Sequence, residues 1–216
     1  MMKNKQIRIL ILMLILLTVM ACNLPMRRNT GEESKAVMTP EPTLESWAWY
    51  QGEGVQIYLP NSYVMRNISE DLPVIREYLQ SFISQNPDSP FIGMLSNLEQ
   101  NVVFWGLDSM SDPANPNRVA IIKNSEMSLI PLELLTTTLQ MVFGEQMQNI
   151  EVSNLRLGDY EVVRYVFYQQ AFAEAVYMLK ADNLLWIITF NDSPSLIGAK
   201  LADFDRSVSS FSSTGQ

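Results

Sequence analysis

The chain has 216 residues, 47% of them hydrophobic and 18% charged, enough apolar material to build a core over most of its length. It carries 15 Lys+Arg against 23 Asp+Glu, and no histidine, which removes Ser-His, Cys-His and His-metal chemistry. Its one cysteine excludes an intramolecular disulfide and any cysteine-built zinc or iron–sulfur site.

The first 22 residues read MMKNKQIR, then ILILMLILLTVM, then AC. Lys3, Lys5 and Arg8 precede an apolar run that closes on Ala21 and Cys22. That order is the build of an export signal, and the run is short for a membrane span of about 20 residues. An uncleaved anchor or a buried helix is the competing reading. Residues 19–22, VMAC, resemble the lipobox of bacterial lipoproteins. The resemblance implies that residues 1–21 are a signal peptide and that Cys22 is the lipidation site. It also implies a location at the cell membrane, lipid-anchored on the extracytoplasmic face, with membrane lipid as a partner through Cys22. Two or more acyl chains would hold the chain firmly, where one would not. Without residues 1–21, 12 basic and 23 acidic residues remain, a balance of -11. Such a surface repels polyanions and disfavours nucleic acid as a partner.

Residues 22–46 are the expected lipidated cysteine and tether. The segment is polar, has Pro25, Pro40 and Pro42, and shows no apolar period. Residues 47–216 are then a single domain. WAWY (47–50) and GVQIYLP (54–60) read as strands around a glycine-containing turn. Residues 71–85 suit a helix capped by Asp71, with Ile75, Leu79 and Phe82 on one face, and a shorter helical piece is expected over 91–98. Strands are expected at 101–108 and 118–124, separated by a loop at 112–117. Residues 131–147 carry Leu132, Leu135, Leu139, Val142 and Phe143 as one helical stripe behind Pro131. Further strands are expected at 149–157, 160–169, 171–180 and 184–190, with tight turns at Gly158-Asp159 and Ala181-Asp182-Asn183. The last element, 195–211, places Ile197, Leu201, Phe204, Val208 and Phe211 on one face of a helix.

The later strands are apolar on both faces, so both faces need a cover, and the short turns make their neighbours antiparallel. The fold class that meets both demands is α+β: a mainly antiparallel β-sheet flanked by helices on both faces, an α/β/α sandwich.

The element order, a strand ending in proline at GVQIYLPNSY (54–63), IEVSNLRLGDYEVVRYVFYQ (150–169), AVYMLKADNLLWIITF (175–190) and a closing helix ending VSSF (208–211), resembles the PsbP-like family, including its bacterial lipoprotein members. The likeness spans roughly residues 47–212. It implies an α/β/α sandwich and a binding or accessory role, with no enzymatic residue set to transfer.

The acids Glu145, Glu151, Asp159, Glu161, Asp182, Asp203 and Asp205 read as turn or surface residues, and no spacing forces two together as a glycosidase or metal site would need. No G-x-S-x-G, phosphate loop or calcium loop is present. No cofactor and no metal are expected. Aromatics are the more telling group. Trp47, Trp49 and Tyr50 open the domain, and Tyr168 lies on the strand face of Arg164, Val162 and Val166. These five, Trp47, Trp49, Tyr50, Arg164 and Tyr168, form the candidate interaction surface; the competing reading of the aromatics is sheet packing. Arg164 needs an acidic partner, a wet edge or a ligand carboxylate, and an ion pair is the simplest of the three. The functional expectation is a non-catalytic binding or assembly module, not an enzyme, whose partner is an envelope protein or membrane complex. The alternative is a small-solute-binding or stress-related envelope lipoprotein.

Overall fold

The computed structural model describes residues 46–69, 101–112, 116–125, 127–143, 150–168 and 173–213. The signal peptide, Cys22, the tether and the helices expected at 71–85 and 91–98 lie outside the described residues. Ten strands and two helices are described: β1 (Trp47–Gly52), β2 (Val55–Pro60), β3 (Tyr63–Met65), β4 (Val102–Asp108), β5 (Arg118–Asn124), α1 (Leu132–Phe143), β6 (Ile150–Leu157), β7 (Tyr160–Tyr168), β8 (Ala173–Ala181), β9 (Leu184–Asp192), α2 (Ile197–Ser209) and β10 (Ser212–Ser213).

The strands form two sheets, a seven-stranded one in the order β3-β4-β5-β9-β8-β7-β6 and a three-stranded one in the order β1-β2-β10. Every pairing is antiparallel. The turns are those their residues favour. Asp182 and Asn183, both with positive φ, close the β8–β9 hairpin, as the right-handed twist of paired strands prefers. Gly158 (φ +59°) closes β6–β7 beside the end of α2, where a Cβ would stand 2.6 Å from the Ser209 carbonyl oxygen. No other residue type fits there without moving backbone.

The expected double-sided burial holds at the centre of the large sheet. From Ala173 to Leu179 every residue of β8 is buried, as is every residue of β9 after Leu184. On one face, Val119, Ile121, Ile188, Phe190, Tyr177 and Leu179 join a continuous core with Phe204 and Val208 of α2. Val55, Ile57 and Leu59 of β2 enter that same core. The first face is therefore covered by a helix and a small sheet together, which corrects the expectation of a single sheet under helices. The reason is in β2: its strict alternation leaves one face dry and one face exposed to polar surroundings, so β1–β2 packs as a second layer.

On the opposite face, Val163, Tyr165, Phe167, Val176 and Met178 are buried. Thr136 of α1 lies next to the Tyr165 phenol, and its hydroxyl donates to the Leu132 carbonyl (2.9 Å). α1 is described as far as Phe143, and the expected continuation to 147 lies outside the described residues. β3 and β10 escaped the sequence reading because three and two residues are too few to show a period.

The helix stripe of α2 is the seam of this assembly. The Phe204 ring stacks on Phe190 with centroids 4.5 Å apart and planes 8° apart, and Phe211 lies 5.3 Å from Trp186. Phe204→Ala is expected to cost about 3–5 kcal/mol of stability, the usual range for emptying a buried phenylalanine site. Equilibrium urea unfolding of the purified protein checks this, and a loss below about 1 kcal/mol would contradict the packing described.

Candidate functional site

Four arrangements of chemically capable side chains stand out. The first is aromatic and cationic. Antiparallel pairing sets Trp49 opposite Tyr58 and Trp47 opposite Pro60. Their side chains share the outer face of the small sheet, because residues two apart on a strand point the same way. Trp47 stacks with Tyr58 at 5.5 Å, and Trp49 lies 5.1 Å from the same ring at a tilt. The Arg206 guanidinium of α2 sits 4.5 Å over the Trp47 ring and 5.8 Å from Tyr58, within cation–π range. Trp47 is buried in this stack, whereas Trp49 is 58% exposed.

The second is an ion pair inside the α2 seam. Arg164 Nη1 donates to both carboxylate oxygens of Asp205 at 2.8 Å, and Tyr177 Oη donates to Asp205 Oδ1 at 2.8 Å. Burial works against the Arg164 charge, but the Asp205 hydrogen bond and charge outweigh it and raise its pKa. Burial and the same carboxylate push the Tyr177 phenol up, so it stays a neutral donor. Arg164 thus has the acidic partner that its place within a strand demanded.

The third arrangement closes the end of the sheet from which the chain enters. Asp108 and Asp192 are both buried, and Lys200 Nζ stands 3.3 Å from Asp192 Oδ2 and 3.8 Å from Asp108 Oδ2. Asn117 Nδ2 donates to Asp192 Oδ2 (3.1 Å), and the backbone N–H groups of Met110 and Ser193 donate to Asp108 and Asp192. The fourth is Glu174, 3% exposed, with Oε2 lacking a hydrogen-bond partner. Burial raises its pKa to about 8, against smaller opposing effects of Thr189 and Arg118. Among the described residues, no group of three or more His, Cys, Asp or Glu side chains is arranged to hold a metal ion.

An open groove of about 400 Å³ lies where the two sheets meet, lined by Gln51, Gly52, Met65, Arg66 and the start of β4. Two strands border it, β1 at an edge of the small sheet and β3 at an edge of the large one. Glu53 N donates to Val103 O (3.3 Å) at its end, and Gly52 leaves room there, since a Cβ would fall 2.4 Å from that same oxygen. Val64 and Met65 on β3 are each 52% exposed.

The five aromatic and basic residues singled out in the sequence do not form one surface. Trp47 and Trp49 come together. Tyr50 points to the other face of β1, donates to the Tyr63 carbonyl (2.6 Å) and meets Phe104 edge-on at 6.2 Å. Arg164 belongs to the seam, and Tyr168 lies at the far end of β7 near Glu151. Tyr58 and Arg206 are the members that sequence reading missed. Tyr58 was visible through the pairing of Trp49 across the hairpin. Arg206 becomes adjacent only when α2 docks.

No family model matches the chain, and no curated protein matches it. Several solved structures are similar at low identity. The solution structure of the cyanobacterial PsbP protein CyanoP from Synechocystis sp. PCC 6803 is 12% identical, covers 82% of this chain and 98% of its own, and gives a TM-score of 0.45. LpqN, involved in cell envelope biogenesis of Mycobacterium tuberculosis, is 7% identical over 73% of this chain and 82% of its own, with a TM-score of 0.40. A protein of unknown function from Pseudomonas aeruginosa, described as a putative regulator, is 9% identical over 46% of this chain and 74% of its own, with a TM-score of 0.35. At these values the likenesses assign neither a family nor an activity.

The buried charges generate two stability experiments. Asp205→Ala strips Arg164 and Tyr177 of their shared acceptor and is expected to cost about 1–3 kcal/mol in denaturant unfolding. A neutral effect would mean that solvent replaces the carboxylate. For Glu174, the folded pKa lies above the ordinary 4.5, so the folded state holds the proton more tightly. Stability is then lost as pH rises from about 4.5 through about 8. Glu174→Gln should flatten that decline and be relatively more stable at pH 8 than at pH 5. Parallel pH profiles for the two proteins would contradict the buried, protonated carboxyl.

Proposed function

We propose that this protein is an extracytoplasmic lipoprotein whose PsbP-like domain, covered by helices on both sheet faces, serves as a non-catalytic binding or assembly module. Lipid on Cys22 ties it to the cell membrane, residues 23–46 act as the leash, and an envelope protein or membrane complex is its partner. The mechanism is confinement: two partners held to one membrane meet at a raised effective concentration, so a modest contact suffices.

The observation that carries this reading is how the reactive side chains are used. Arg164 Nη1 and Tyr177 Oη both donate to Asp205, leaving Arg164 Nε as the buried polar atom of this trio without a partner, and Asp108, Asp192, Lys200 and Asn117 pair with one another at the sheet end. These groups hold elements together, and among the described residues they are placed as structural pairs rather than as a nucleophile beside a base. Exposed apolar side chains include Val64 and Met65, beside the groove between two edge strands, with Met110, Leu129, Leu134 and Leu196 exposed singly elsewhere. Edge strands with free backbone are a common way to take up an extended partner segment. Arg164 being committed to Asp205 also weakens the alternative, a solute pocket with Arg164 at its rim.

The test is an affinity pull-down of the native protein in mild detergent beside a Cys22→Ser variant. A partner recovered in stoichiometric amount with the native form and depleted with the variant is the expected result. Recovery of both forms alone, at native abundance, would count against the adaptor and turn attention to solute binding.

A further inference from the structure

Anchoring through Cys22 leaves open how the domain sits over the bilayer. Ser46, where the described chain begins, is fixed beside the end of β2 by the Asn61 N–H to Ser46 O hydrogen bond (2.7 Å). The next residue is Trp47. The segment from Cys22 therefore joins the domain at the start of β1, at the Trp47–Pro60 end of the small sheet. Its 24 residues span at most about 80 Å when extended, which sets the upper limit on the distance between this end of β1 and the lipid.

The composition of that face is unlike that of the rest of the chain. Its three cross-strand pairs are Trp47–Pro60, Trp49–Tyr58 and Gln51–Gln56. None of the six is acidic, in a chain with 23 acids. The charges beside them are the Arg206 guanidinium, stacked on Trp47 at one end, and Glu53 in the connecting turn at the other. Tryptophan, tyrosine and arginine are the side chains that favour the headgroup boundary, because each combines a broad apolar body with a polar tip. Trp49 is large, is 58% exposed and is backed by Tyr58, so it projects from a rigid platform.

We propose that the outer face of the β1–β2 hairpin, with Trp49 at its centre and Arg206 at its margin, is a membrane-contact surface that lays the domain on the phospholipid headgroups of the bilayer carrying its anchor. This rests on lipidation at Cys22. It gives the domain one orientation, in which the headgroup phosphates meet Arg206 and the acidic remainder of the surface turns away from the lipid. A weak contact is enough, since the anchor supplies the local concentration.

The protein's own tryptophans report the contact. Trp47, Trp105 and Trp186 are buried, which leaves Trp49 as the accessible one of the four. The lipidated protein is reconstituted into phosphatidylethanolamine–phosphatidylglycerol vesicles containing phospholipid brominated near the headgroup end of its chains, and tryptophan quenching is measured on the floated fraction. The proposal expects quenching in the native protein, loss of the quenchable part of the emission in Trp49→Phe, and reduced quenching in Arg206→Glu, with flotation unchanged in all three. Circular dichroism confirms that each variant is folded. Protein that floats but is quenched no more than Trp49→Phe would overturn the membrane contact while leaving the anchor intact. Trp49 unquenched in vesicles yet shielded from acrylamide in native membranes would assign the face to a protein and overturn the proposal. Native protein that fails to float would remove the anchoring reading, and this proposal with it.

Discussion

One apolar stripe holds the two sheets in register. Ile197, Phe204 and Val208 of α2 are buried, with Phe211 just beyond, and they meet the large sheet on one side and β2 on the other. A β1–β2 hairpin extended by a two-residue third strand is at best marginally stable alone in water. It is stable here because Val55, Ile57 and Leu59 share a core with α2 and with Phe190. The turn at Gly158 of the large sheet abuts the C-terminal end of the helix, and Ser210 Oγ accepts a hydrogen bond from Tyr58 N (2.8 Å), so that end of α2 is tied to both sheets. The aromatic surface depends on this seam as well, because Arg206 reaches the stack only when α2 is fixed against β2.

The same helix settles where the charges go. Asp205 faces the sheet and satisfies Arg164 and Tyr177, and Lys200 faces the two buried aspartates. Burying such groups is costly unless each finds its partner, and here the partners come from elements far apart in sequence. The pairing fixes the position of α2 over the sheet as a purely apolar stripe would not.

Much of the fold was legible in the sequence because the period of the chain is strong where burial is strong. The turns at Gly158 and Asp182-Asn183, the strands on either side of them and the last helix stand close to where apolar alternation and turn residues put them. The separate small sheet was not legible, since nothing in GVQIYLP says which layer its dry face joins. Of the candidate surface, Trp47 and Trp49 could be read as neighbours from their spacing, and the ion pair of Arg164 could be anticipated from its place in a strand. That Tyr50 faces inward and that Arg206 completes the cluster depend on hairpin register and helix docking, which are long-range facts. The buried Glu174 carried no sequence signal, because one acid in an apolar strand looks the same whether its cover is wet or dry.

Tethered function requires Cys22 to be a lipid anchor rather than a thiol, and intact-mass spectrometry of the protein purified from its native membrane addresses that directly. The predicted result is a chain that begins at Cys22, heavier than residues 22–216 by a diacylglyceryl group with or without a further acyl chain. A chain that retains residues 1–21, or one that begins elsewhere with Cys22 unmodified, would contradict it.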